Sequence, residues 1–177
     1  MITLIHGGHR HGTHWEVLQL LKKELEALGK DVHVIDLTNL QFYECCGDQV
    51  CQIGDCLYKN DALYKEFEAS LLPADVIYII TPTYFNMPPA KLKSFIDRTN
   101  ALLPVLEGRE KAVHFGTWVS GEADLESISC NSRLLSDYAS IMGWIPCEDI
   151  THCALISDDY ELDAAFIKKI AHAISEK

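Results

Sequence analysis

Five short apolar runs, each followed by a longer stretch of mixed polarity, constrain this chain more than any other feature. Ile2–Ile5, Val32–Leu37, Asp75–Thr81 and Lys111–Gly116 read as strands, and Ile145–Ile156 contains a fifth. The VIYII core of the third is apolar throughout, as in a strand covered on both faces. Val17, Leu18, Leu21, Leu25 and Leu28 share one face of a helix expected from about His14 to Leu28, which Gly29 stops. Leu63, Tyr64, Phe67 and Leu71 are spaced the same way over Asp61–Leu72. Pro88 and Pro89 suit the first turn of a helix, where a missing N–H costs nothing, and Leu92, Phe95, Ile96 and Leu103 continue it. Helices are also expected from about Asp124 to Met142 and from Tyr160 to Ser175. This alternation implies an α/β fold: a parallel sheet with helices on both faces. No repeat, low-complexity tract or linker interrupts it, so one domain is expected over residues 1–177.

Charge narrows the function classes. The formal net charge is −11 and no basic stripe stands out, which argues against binding nucleic acid through its phosphates. No apolar run is long enough to span a bilayer, and MITLIHGG lacks the pattern of a signal peptide, so a cytoplasmic location is expected. In a reducing compartment, seven cysteines suggest metal, cluster or redox chemistry rather than a disulfide scaffold.

In an open parallel sheet, ligands bind outside the carboxyl ends of the strands. Three loops follow such ends: His6–His14, Pro82–Met87 and Gly116–Glu122, with Trp118–Ala123 read as irregular. The first reads HGGHRHGTH. Gly7, Gly8 and Gly12 let the backbone turn its N–H groups inward, and a helix begins at its end, which together suit an anion such as phosphate. Arg10 and the Thr13 hydroxyl could add hydrogen bonds. It is neither a G-x-G-x-x-G fingerprint nor a triphosphate P-loop, because Thr13 and His14 stand where Lys and Ser/Thr are required. A plain tight β–α turn would also explain the glycines. Histidines at 6, 9, 11 and 14 raise a metal reading, set against exposed or phosphate-facing roles.

The chain resembles the NADPH-dependent FMN reductase and iron–sulfur flavoprotein group. That group's first loop has the form G-S-P-R-x-x-G-N-T; Gly7, Gly8, His9, Arg10, Gly12, Thr13 and His14 occupy the comparable stretch, one residue shorter. Its next strand often ends in I-D-L, as do Ile35, Asp36 and Leu37 here. A cysteine loop closed by G-x-C and K-D-D is similar to Gly54, Asp55, Cys56 and Lys59, Asn60, Asp61. The most specific match is S-P-x-Y-F followed by K-x-F-I-D-R, here Thr81–Phe85 and Lys93–Arg98. The resemblance is clear over residues 1 to about 120 and concerns layout beyond.

The resemblance implies a flavodoxin-like three-layer sandwich, a five-stranded parallel sheet in the order 2-1-3-4-5. It implies FMN, with its phosphate on Gly8, His9, Arg10, Gly12, Thr13 and His14. Pro82, Thr83, Tyr84, Phe85 and Asn86 would line the ring and ribityl chain, and Thr117, Trp118, Ser120 and Gly121 the pyrimidine edge. Trp118 suits a subunit interface equally well, and Tyr84 and Phe85 would also suit a core. The expected activity is that of an NAD(P)H oxidoreductase passing electrons to a quinone, free flavin, metal ion or similar small acceptor, as a homodimer. His9, His11 and Trp118 are candidate neighbours of that step, and no catalytic acid or base is assigned. The alternatives are an electron-transfer protein carrying FMN, with or without an iron–sulfur cluster, and a metal- or redox-sensing module.

Iron–sulfur members space their cysteines C-x-x-C-x-x-C with a fourth further on. Cys45, Cys46, Cys51 and Cys56 match the count but not the spacing, since the second place falls on Asp48. A cluster, zinc or plain thiols remain as readings, with plain or reversibly oxidised thiols favoured. Cys130, Cys147 and Cys153 are isolated and suit core packing.

Overall fold

Alternating side chains along each strand sort the apolar residues into two cores, one on either side of a sheet. In the computed structural model, which describes residues 1–53, 56–122, 124–156 and 160–177, the strands are β1 (Ile2–His6), β2 (Val32–Asp36), β3 (Val76–Pro82), β4 (His114–Gly121) and β5 (Ile145–Leu155). All pairings are parallel and the order is β2-β1-β3-β4-β5. Val76, Tyr78 and Ile80 of β3 face α1 (Thr13–Ala27) and the closing helix Ala164–Ser175. Ile77 and Ile79 face the other way, into a core shared with Leu63, Phe95 and Leu135 from the opposite helical layer. That layer holds α2 (Ala62–Glu66), α3 (Ala90–Arg98), α4 (Leu103–Leu106) and α5 (Leu125–Ile141), so the closing helix is α6. This is the three-layer arrangement and strand order of the flavodoxin-like fold. Among the described residues no helix is long and apolar enough to cross a membrane.

Three local expectations are corrected. The fourth strand lies further along the chain, over His114–Gly121 rather than Lys111–Gly116. Thr117–Gly121 pairs with both neighbours (Ile80 with Trp118, Pro82 with Ser120, and Ser120 with Ala154), and those ladders outweigh the turn-like look of Ser120–Gly121. Trp118 through Gly121 is therefore strand, not loop. Pro88 and Pro89 precede α3 instead of forming its first turn: Pro89 is the N-cap, with ψ 149°. A proline pushes the residue before it out of the helical region, so Pro88 stays extended. The helix over Asp61–Leu72 is α only to Glu66 and then widens into a π-helical turn, Phe67–Leu71. Of the expected sequence features, Gly54, Asp55 and Ala123 lie outside the described residues.

Candidate functional site

The loops after β1, β3 and β4 surround a cavity of about 430 Å³ at the carboxyl end of the sheet, within the usual size of ligand sites. The loop after β1 forms its floor. Gly7 and Gly8 are buried and leave no room for side chains. A Cβ on Gly7 would sit 2.7 Å from Leu92 Cδ2 and 2.9 Å from Thr81 Oγ1, and one on Gly8 would sit 2.9 Å from His6 Nε2. The backbone therefore packs directly against β3 and His6, and the loop leads into α1. Gly12 is the α1 N-cap and supplies no side-chain hydrogen bond. The helix thus starts at the cavity with its positive dipole end uncapped by any side chain.

The β3 loop forms the mouth. Tyr84 and Met87 exchange backbone hydrogen bonds of 3.0 Å, and Phe85 (φ 50°) and Asn86 (φ 64°) lie between them, both left-handed. This is a tight hairpin turn of the kind that favours Asn and Gly, so a phenylalanine there is strained. The turn lifts two aromatic side chains clear of the core: Tyr84 is 47% and Phe85 100% exposed. His9 from the first loop stacks on Tyr84, with centroids 5.6 Å apart and planes 7° from parallel. Asn131 of α5 holds the turn's base from below, donating through Nδ2 to Thr83 Oγ1 at 3.0 Å and Pro82 O at 3.3 Å. Its Oδ1 is buried without a partner among the described residues.

Gly121, Glu122 and Ile156 close the third side. His14 lies between this side and the floor, sharing a hydrogen bond of 2.6 Å with Ser120 Oγ. Burial, aided by the nearby His6, lowers the His14 pKa to about 4, so the ring is neutral near pH 7.

The structure brings Gly8, His9, Arg10, Gly12, Thr13, His14, Pro82, Thr83, Tyr84, Phe85 and Gly121 together around this cavity. It separates four others from its lining. Asn86 is exposed in the hairpin turn and lines no part of the cavity. Thr117 points to the α5 layer, within 3.4 Å of Ser132 Oγ. Trp118, its neighbour, faces the other layer against His152 (4.5 Å) and Phe166 (5.9 Å), 2% exposed. Strand periodicity forces this split once residues 117–121 are strand. Ser120 is buried and supports the lining from behind, through its hydroxyl to His14 and its carbonyl, which accepts from the Thr83 N–H at 2.8 Å. Ile156 and Asn131 were missed by the sequence reading, and Glu122 was read only as the end of the Gly116–Glu122 loop. Glu122 directly follows a strand end, a signal that was available. Asn131 acts from 48 residues beyond Thr83, and no local pattern announces it.

Two polar clusters lie outside the cavity. On the β2 side of the first loop, Asp36 Oδ1 is 3.0 Å from His6 Nδ1 and Oδ2 is 2.7 Å from His11 Nε2. Burial of His6 outweighs the pull of Asp36 and lowers its pKa. The cysteine loop forms the second cluster. Cys45, Cys46, Cys51 and Cys56 line one small hollow with Arg98 and Asn100, and Asn100 Nδ2 donates to Cys51 Sγ at 3.0 Å. Among the described residues no three of these sulfurs lie within 4.8 Å of one another; tetrahedral zinc with bonds of about 2.3 Å needs sulfurs roughly 3.8 Å apart. The thiols share a wall without forming a ligand cage. Buried Arg98 pins that wall, donating to Tyr43 O (2.6 Å), Tyr58 O (3.2 Å) and Asp61 Oδ2 (2.7 Å). A wider groove of about 780 Å³ runs between α3 and α5, lined by Ile96, Leu134 and Ile141. Its lining comes mainly from α3 and α5, with Cys45 and Gly47 of the cysteine loop, and shares no residue with the cavity at the strand ends.

Comparison with known proteins gives the family and the fold. The profile of the NADPH-dependent FMN reductase family matches residues 1–149. A protein of Archaeoglobus fulgidus named "Iron-sulfur flavoprotein" is 37% identical over 83 residues, 47% of this chain and 40% of that protein. The chain's match thus spans well under half of this curated relative's length. Among solved structures, the NAD(P)H:quinone oxidoreductase from Methanothermobacter marburgensis aligns with a TM-score of 0.68 and 18% identity, covering 99% of this chain and 92% of that one. A WrbA-like flavodoxin from Agrobacterium tumefaciens aligns with a TM-score of 0.68 and 14% identity, covering 99% and 95%. At those identities the structures establish the fold.

Proposed function

Because the chain belongs to the NADPH-dependent FMN reductase family, we propose that it binds FMN in the cavity at the β1, β3 and β4 ends. There it oxidises NAD(P)H and passes the electrons to a small acceptor such as a quinone, free flavin or metal ion. The observation that carries this reading is one cavity that joins an uncapped helix start to a pair of uncovered aromatic rings. A phosphate suits the first feature and a flat ring the second.

FMN supplies the hydride-accepting and electron-passing chemistry when bound. The chain binds and orients it. The α1 start and the Gly8–Gly12 backbone face the phosphate, with Arg10 and the Thr13 hydroxyl as side-chain donors. Neutral His14 can present a hydrogen bond to the phosphate or ribityl chain without holding a charge of its own in a half-buried place. Tyr84 and Phe85 exclude water from one side of the ring, and Asn131 fixes the turn that carries them. Gly121 and Glu122 edge the opposite rim.

Purified protein should show a flavin absorption spectrum that bleaches on anaerobic addition of NADH or NADPH and returns on adding a quinone. A flavin that dithionite bleaches but nicotinamides do not would favour the electron-transfer protein. A protein that takes up no FMN would contradict both. The reading takes a homodimer as the working unit, as the family resemblance implies; light scattering at twice the chain mass checks it.

A further inference from the structure

The histidines of the first loop divide between two sides of it. His9 and His14 line the proposed FMN cavity, while His6 and His11 turn to the opposite side, toward β2, and line no part of it. There they meet Asp36. His6 ends β1 and Asp36 ends β2, and the two pair directly in register. One donor atom from each of His6, His11 and Asp36 lies within 4.8 Å of the other two. Two imidazoles and a carboxylate are a ligand set suited to a divalent transition metal, with bonds of about 2.0–2.2 Å.

The surroundings hold these donors in place. Asp36 accepts from the Thr38 N–H at 3.0 Å on Oδ1 and from Asn39 Nδ2 at 2.9 Å on Oδ2. The His11 ring stacks on Trp15, with centroids 4.0 Å apart and planes 13° from parallel. The Thr38 hydroxyl lies 3.1 Å from His6 Nδ1. Such outer contacts fix ligand orientation in metal sites. His6 is fully buried, and its Nε2 has no hydrogen-bond partner among the described residues, so its polar contacts run through Nδ1, to Asp36 and the Thr38 hydroxyl. His11 and Asp36 are part-exposed, at 37% and 16% of their side chains, which leaves an approach from solvent.

We propose that His6, His11 and Asp36 form a binding site for one divalent transition-metal ion of the Zn²⁺ class, with solvent completing the coordination. The ion would take the place of the protons now shared between the carboxylate and the two rings. This goes beyond the FMN reading and stands or falls separately from it, because none of the three residues lines that cavity.

The test is equilibrium dialysis of the purified protein, freed of metal by chelation, against micromolar Zn²⁺, with Co²⁺ as a spectroscopic probe. The expected result is one ion per chain and a Co²⁺ d–d spectrum without a thiolate charge-transfer band. Asp36→Asn and His11→Ala should each weaken uptake at least tenfold while circular dichroism and flavin content are measured as checks on folding. A variant with Cys45, Cys46, Cys51 and Cys56 all changed to Ser should bind as the parent does. No saturable uptake by the parent overturns the proposal. So does uptake that survives Asp36→Asn and His11→Ala yet disappears in the cysteine variant.

Discussion

At the scale of single residues, the site holds strain and burial that its own stability does not require. Phe85 adopts a left-handed φ of 50° with its ring fully exposed. Asparagine takes that conformation more readily. Phe85→Asn should therefore stabilise the FMN-free protein by about 1 kcal/mol in urea denaturation, while weakening FMN binding by removing apolar cover. A loss on both counts would mean that the ring packs against the protein. His14 gives a pH signature. Its pKa of about 4 in the fold lies below the unfolded value of 6.5, so as pH falls the unfolded chain takes the proton first. Its contribution is intact above about pH 7 and is lost progressively as pH drops toward 4, about 2 kcal/mol by pH 5. His14→Gln, which does not titrate, should flatten that part of the stability–pH curve of the FMN-free protein relative to the parent.

At the scale of elements, the ends of strands and helices position the chemistry, and this is where the sequence was read best and worst. The glycines of HGGHRHGTH and the run Thr81–Phe85 were legible because turn chemistry is local. β4 lies further along the chain than expected because its boundaries are set by β3 and β5, partners remote in sequence, and as strand residues Thr117 and Trp118 face the two helical layers. The Asp36 cluster was half legible for the same reason: the first-loop histidines raised a metal reading, but their carboxylate partner stands 25 and 30 residues away. Arg98 shows an element held from a distance. It ties α3 to the cysteine loop, and with Asp61, the N-cap of α2, it forms a pair whose side chains are only 1% and 9% exposed. Breaking a buried pair strands the other charge. Arg98→Met should cost about 3–5 kcal/mol in chemical denaturation, and the double variant with Asp61→Leu should recover part of it. Equal losses in single and double variants would mean that the Arg98 bonds to the Tyr43 and Tyr58 carbonyls carry the stability instead.

At the scale of the whole molecule, the order β2-β1-β3-β4-β5 explains why one ligand can touch three loops. The connections turn in opposite directions from β1, so the loops after β1 and β3 part and leave a crevice between them, which the β4 end borders. The alternation of apolar runs and helical patterns made the parallel sheet and its two helical layers legible, since central strands such as β3 are buried throughout, while the strand order came from the resemblance to the family. The ligand follows from what the crevice offers: loop amides and an unencumbered helix start at one end, flat apolar surface at the other. A fluorescence-quenching titration of the flavin-free protein with FMN and, in parallel, with riboflavin tests that pairing most directly. The account predicts one FMN per chain and riboflavin binding at least tenfold weaker, because only FMN carries the phosphate. Equal affinity for the two, or uptake of neither, would contradict it.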